Sequence, residues 1–363
     1  MIAAASAAPI PAGPPPATTT SYSRSGSACR GKRVSFRTVI VAPCVSFRCS
    51  IVGRYRTGRQ CFAGAGVERR RPSPELPSTA DADYDTLCRI RDSVSGAGFE
   101  LFEVMPADLY SFTLASAGLP GGDEEIVRFR TFLGALGRAG ITRTTYAWRT
   151  GGAYETGRTT HRESDTRRFA LGDVDESAGA PRPAVPAGDD EVWAAYERFI
   201  REVLPAAEDA GVRLQLHPND PPVTHEGIAR IFRSTAAFRR ALEIAGGSPC
   251  ARILFCVGTW AEMEGPDGRG EDILAALREF VGSGHVEQIH FRNVSSPLPE
   301  FHETYPDDGY LDMPAVFRVL REVGFDGMVV PDHVPIPQGA ADGKHLAEAY
   351  SLGYIRALVQ AIR

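Results

Sequence analysis

From residue 81 onward the chain repeats one unit: an apolar stripe at helical spacing, a small-residue turn and a short strand-like run. No other feature constrains the fold as much. Strands that alternate with helices join as βα units and build a parallel sheet, closed as a barrel or open. Ile126, Phe129, Phe132, Leu133 and Leu136 form one stripe, and Ala139-Gly140 leads into Ile141–Tyr146. Trp193, Tyr196, Ile200, Val203 and Leu204 form another, followed by Ala210-Gly211 and Val212–Leu216. A glycine just past a helix is the expected C-terminal cap. Ala97-Gly98 likewise precedes Phe99–Met105, and Arg252–Cys256, Val286–Phe291 and Gly327–Val330 complete six strand-like runs. The pattern predicts an α/β fold, a TIM-type (β/α)8 barrel over residues 81–363 whose first strands are atypical or missing. Before Asp81 only Thr38–Ala42 and Ser46–Val52 are apolar enough for strands, and their flanks carry no helical pattern. The Gly/Pro/Asp-rich stretch at 172–190 reads as a loop insertion above the strand ends.

Charge divides the chain at about the same place. Residues 1–80 hold 12 Arg and Lys against 2 Glu, whereas the remainder carries a net charge of −15. Through Val67 there is no acidic residue, and Ser, Ala, Arg and Pro dominate. Three readings of this basic extension stand open: an organelle transit peptide, a disordered basic arm, or an upstream reading-frame artefact. The acidic body argues against nucleic acid as a partner, because phosphates would be repelled. No run approaches the length of a membrane-spanning helix. The seven cysteines have neither CxxC pairs nor regular spacing, which suits reduced thiols and a cytoplasmic protein, or an organellar one if the extension is a transit peptide. Lysine is confined to Lys32 and Lys344, which leaves little room for Schiff-base chemistry.

In parallel barrels the chemistry collects where strands end at their carboxyl side. Four of the six runs end on a metal-ligand type: His217 after Leu216, Cys256 after Phe255, His290 after Ile289, and Asp332 two residues after Val330. Singly each has a bland explanation, since a strand-end histidine is usually structural and a buried cysteine is usually a small hydrophobe. Jointly they predict a mixed nitrogen, sulfur and oxygen site for a divalent transition metal. His225, His285 and His345 lie outside these positions. Nucleotide-binding and hydrolase motifs are missing: there is no GxSxG elbow and no GxGxxG after a strand, and Gly343-Lys344 is followed by His345 rather than Ser or Thr.

Five segments occur in order: His217-Pro-Asn-Asp220-Pro-Pro222, Cys256-x-Gly258-Thr259, His290-Phe-Arg292, Phe301-His302-Glu303 with Asp308-Gly309-x-x-Asp312-Met313, and Pro331-Asp332-His333. Together they resemble the mannonate dehydratase family of the xylose-isomerase-like barrel superfamily, specifically from residue 210 onward and diffusely over 82–209. The resemblance implies Mn²⁺ or Fe²⁺ at His217, Cys256, His290 and Asp332, although this donor set also suits Zn²⁺. It further implies proton transfer by His333 and by a tyrosine that matches Tyr350. The implied reaction is dehydration of D-mannonate to 2-keto-3-deoxy-D-gluconate, in hexuronate (glucuronate) breakdown.

That chemistry suits the residues. Loss of water from a sugar acid needs a base for a weakly acidic carbon-bound proton and an acid for the departing hydroxyl. Arg292 suits a substrate carboxylate through bidentate hydrogen bonds. Asp220, His302 and Glu303 are grouped with it as substrate-binding residues; for the last two, orienting the ligands or capping a surface helix are the competing roles. Three departures from the family stand out: Val330 in place of an arginine, Val334 in place of a glycine, and the unrecognisable first strands. Two rivals follow, a metal-dependent isomerase or epimerase on the same barrel and a catalytically degraded metal-binding barrel. Cys256 leans away from the isomerase, which typically uses carboxylate ligands. The expected partner is a small sugar acid, with self-association left open.

Overall fold

The computed structural model describes residues 37–38, 50–52, 82–96, 99–105, 112–149, 152–175, 187–227 and 229–362. In chain order the elements are β1 (Arg37–Thr38), β2 (Ser50–Val52), α1 (Tyr84–Gly96), β3 (Glu100–Glu103), α2 (Thr113–Ser116), α3 (Gly122–Arg138), β4 (Arg143–Ala147), β5 (Gly157–His161) and β6 (Ser164–Ala170). They continue with α4 (Asp189–Ala210), β7 (Arg213–His217), α5 (Thr235–Ile244), β8 (Ala251–Cys256), α6 (Val257–Glu262), α7 (Ile273–Gly282), β9 (Val286–His290) and β10 (Asn293–Val294). Last come β11 (Glu300–Thr304), α8 (Met313–Glu322), β12 (Met328–Val330), β13 (Ile336–Pro337) and α9 (Gly343–Ala361).

Helix signals written in the sequence explain the outer layer. Asp123, Glu124 and Glu125 open α3, and Asp189, Asp190 and Glu191 open α4, placing negative charge at the positive end of each helix dipole. Ser234, Asp272 and Asp312 accept backbone N–H bonds as N-caps of α5, α7 and α8. Gly211 ends α4 with φ 64°, a conformation that favours glycine. The α3 stripe is buried from Ile126 to Leu136. It faces α4, where Phe129 and Phe199 stack with ring centroids 6.2 Å apart over Tyr146 of β4.

The inner layer is a parallel sheet in the order β1-β12-β9-β8-β7-β4. Beside it Val104 donates to the Arg143 carbonyl at 3.4 Å, which puts β3 against β4. The six expected strands therefore form in the βα order of a barrel. In the 1–80 segment, Arg37–Thr38 runs parallel to Met328–Val329 and Ser50–Val52 runs antiparallel to Glu100–Glu103. The rest of that segment lies outside the described residues.

An antiparallel sheet, β10-β11-β6-β13 with β5 on β6, accompanies the parallel one. Its β5–β6 hairpin precedes the stretch expected as a loop at 172–190, of which 176–186 lie outside the described residues and 189–190 begin α4. Among the described residues no helix is long and apolar enough to cross a membrane.

Candidate active site

Strand register gathers the carboxyl ends of the parallel strands. Ala147 pairs with His217, Cys256 with His290, and Val330 with His290, so the ends of β4, β7, β8, β9 and β12 stand side by side. One ligand atom from each of His217, Cys256, His290 and Asp332 lies within 4.8 Å of all the others. The Cys256 Sγ is 3.6 Å from Asp332 Oδ2, and His290 Nδ1 is 3.5 Å from Asp332 Oδ1.

The surroundings fit a metal. His217 Nδ1 donates to the Pro218 carbonyl at 2.7 Å, which fixes the tautomer that turns Nε2 into a ligand. Thr259 directs its hydroxyl at the Cys256 sulfur at 3.1 Å and its backbone N–H at 3.5 Å. His290 Nδ1 is buried and has no hydrogen-bond partner. A polar atom in that state costs free energy unless something coordinates it. A soft thiolate, two imidazoles and a carboxylate form the donor set of a divalent transition metal.

Behind these four residues lies a buried ion network. Arg292 donates from Nε to Asp332 at 3.1 Å, from Nη1 to Glu262 at 2.6 Å, and from Nη2 to both Asp220 and Thr259 at 2.9 Å. A guanidinium has five N–H groups, and four of these are committed to protein acceptors. Arg292 therefore holds Asp332 in place, where the sequence suggested a contact with substrate. Gly258 makes room for it, because a Cβ there would lie 2.3 Å from Arg292 Cγ. Arg167, delivered by β6, donates to Asp220 at 2.6 Å and to Glu303 at 3.1 Å.

Burial raises the Asp220 carboxyl, but Arg167 and Arg292 more than offset this and hold it far below the ordinary carboxylate range. Glu303 is also raised by burial and lowered, on balance, by His333 and the two arginines. Glu262 goes the other way: complete burial pushes it up to about 8 against the pull of Arg292.

His333 stands at the edge of this network. Its Nδ1 lies 2.6 Å from Glu303 Oε1, and its Nε2 is 3.6 Å from Asp332 Oδ1. The Tyr154 hydroxyl lies 2.6 Å from Nδ1 and 2.9 Å from Nε2. Tyr154 is fixed from behind by Arg167, whose guanidinium covers its ring at 3.8 Å and whose Nε donates to its carbonyl at 2.8 Å.

The other expected residues fall differently. Glu303 joins the site and His302 does not, because neighbours on a strand point to opposite faces. The His302 ring instead meets His161 at 5.3 Å. Both residues lie in β11, so the helix-cap alternative falls away. Tyr350 sits on α9, 42% exposed, with its ring 5.3 Å from Tyr305 and an Arg162 guanidinium 6.0 Å away. Arg167 and Tyr154 went unrecognised in the sequence. A cavity of about 760 Å³ lined by Trp193, Thr235, Arg240 and Glu264 contains none of these site residues.

Comparison with known proteins gives the same picture. Residues 187–363 match the sequence family described as D-mannonate dehydratase (UxuA). The mannonate dehydratase of Streptococcus suis is 34% identical over 147 residues, which cover 40% of this chain and 38% of that enzyme. The aligned part of the chain thus spans about two fifths of the length of this curated relative. The solved structure of mannonate dehydratase from Streptococcus suis serotype 2 superposes with a TM-score of 0.66 at 25% identity, covering 79% of this chain and 85% of that one. A xylose isomerase domain protein from Planctomyces limnophilus, 14% identical, superposes with a TM-score of 0.53 over 79% of this chain and 87% of its own, a likeness of fold alone.

Proposed function

We infer that this chain, whose residues 187–363 belong to the D-mannonate dehydratase family, is itself a mannonate dehydratase, a metal-dependent hydro-lyase that removes water from D-mannonate to give 2-keto-3-deoxy-D-gluconate. The observation that carries this reading is the convergence of His217, Cys256, His290 and Asp332 within 4.8 Å of one another. Beside that cluster His333 is gripped by Glu303 at 2.6 Å.

The C2 proton of a sugar acid is weakly acidic, and its removal builds negative charge toward the carboxylate. Held by the four ligands, a divalent metal supplies positive charge where that negative charge develops. His333 is the base. With Nδ1 donating to Glu303, its Nε2 carries the lone pair that takes the C2 proton. Arg292 and Arg167 keep Asp220 and Glu303 ionised, and Arg292 holds Asp332 fixed, so these side chains need not reorganise as charge moves. The metal we assign is Mn²⁺ or Fe²⁺, with Zn²⁺ compatible with the same donors. The setting we assign is cytoplasmic hexuronate (glucuronate) catabolism, with a small sugar acid as partner and no nucleic acid or membrane.

The test loads the full chain with manganese under reducing conditions and measures 2-keto-3-deoxygluconate formed from D-mannonate. Product should appear, vanish with chelator and return with manganese. Bound metal without product would overturn the assignment. Interconversion of free sugars in place of water loss would move the protein to the isomerases.

A further inference from the structure

We propose that Tyr154 delivers the proton to the departing C3 hydroxyl, in place of Tyr350, which the sequence resemblance had paired with His333 in proton transfer. The proposal rests on the dehydratase reading above. Three observations carry it. The Tyr154 hydroxyl is within 2.9 Å of both ring nitrogens of His333, so the two groups can exchange a proton directly. Arg167, itself anchored to Asp220 and Glu303, covers the Tyr154 ring and fixes its backbone, so the phenol is aimed by the same network that fixes the base. Tyr350 instead meets Tyr305 and Arg162 on the exposed face of α9.

The step balances within these two side chains. His333 first takes the C2 proton, and the C2–H electron pair is held by delocalisation into the carboxylate; that pair then forms the C2=C3 bond as the C3–O bond breaks. The Tyr154 O–H gives its proton to the leaving oxygen, which departs as water. The proton held on His333 then returns to the Tyr154 oxygen across their contact, and the enol product tautomerises to the 2-keto acid. One proton leaves carbon and one reaches oxygen, so the site ends as it began. Burial, reinforced by Glu303, keeps the Tyr154 hydroxyl protonated well above its ordinary range, as a proton donor requires.

The test compares full-length wild type, Y154F and Y350F, each loaded with manganese, on D-mannonate deuterated at C2. Phenylalanine keeps the ring under Arg167 and removes only the hydroxyl. Y154F should hold its metal and lose at least about 100-fold in kcat, the scale of a general acid. It should still exchange C2 deuterium with water, because His333 and Glu303 remain. Y350F should lose less than Y154F. Loss of exchange along with dehydration would reduce Tyr154 to a structural support for His333 and overturn the proposal. Near-normal turnover by Y154F would overturn it too. Wild type that neither exchanges nor dehydrates would defeat the dehydratase reading, and this assignment with it.

Discussion

Cys256 separates a metal centre from a packed barrel mouth, because every other contact it makes is compatible with a small buried hydrophobe. Its sulfur receives two donors from Thr259 and lies 3.6 Å from Asp332 Oδ2, so a soft donor and a carboxylate face the same space. Serine preserves the volume and the Thr259 contacts and removes the soft donor. Cys256→Ser should therefore lower metal affinity by at least about tenfold, the lower end for damage to a metal site, with the circular dichroism spectrum unchanged. Metal content after gel filtration reads this out, and a fully loaded C256S would return Cys256 to a packing role. The clustering of His217, Cys256, His290 and Asp332 was legible in the sequence because each lies at or just past a strand end, where a parallel barrel gathers its chemistry. Tyr154 was not legible. It lies in a short segment without periodicity, and its partner His333 is 179 residues away. Arg292 was legible as a site residue, but its commitment to Asp332, Glu262 and Asp220 depends on three segments distant in sequence that no local pattern reveals.

Among the elements, β4, β7, β8 and β9 are clamped at their amino ends by one acidic side chain. Glu287 of β9 meets Arg143 at 2.5 Å, Arg213 at 2.8 Å and Arg252 at 3.7 Å, at the opposite end of the strands from the His217, Cys256, His290 and Asp332 cluster. Burial raises its carboxyl, but Arg143 and Arg213 lower it more, so it titrates below the ordinary 4.5. A depressed carboxyl stabilises the fold fully above its unfolded pKa and loses that contribution as pH falls through its folded value. Glu287→Gln should cost about 1–3 kcal/mol at neutral pH, since it leaves partly buried guanidinium groups unpaired. Calorimetry should show this as a fall of about 2–10 °C in Tm, shrinking below about pH 4, while turnover stays normal. Loss of turnover with unchanged Tm would contradict the division of labour between the two ends of the strands. The strands themselves were readable from apolar runs bounded by glycine turns. The β5–β6 hairpin was not, because Gly157–Ala170 is rich in Arg and Thr, and it becomes a strand pair by docking on β11 and β13.

For the whole molecule the open matter is how the barrel is completed between β12 and β3. Phe102, Met328 and Val330 form a small apolar cluster of their own, separate from the main core, on the two strands that border this region. Strand edges left open there would expose unpaired N–H and C=O groups beside Asp332 and invite pairing between copies. Arg37–Thr38 and Ser50–Val52 lie along those edges in the register of added strands. We therefore expect residues 81–363, expressed alone, to melt at least about 4 °C below the full chain, the shift expected for one to two kcal/mol in a domain of this size. The same fragment should self-associate in gel filtration. Its metal affinity should fall as well, because Asp332 follows β12 directly and depends on that strand staying in register with His290. A fragment that is monomeric, equally stable and equally able to hold manganese would instead make residues 1–80 a dispensable extension, the reading their acid-poor, arginine-rich composition suggests.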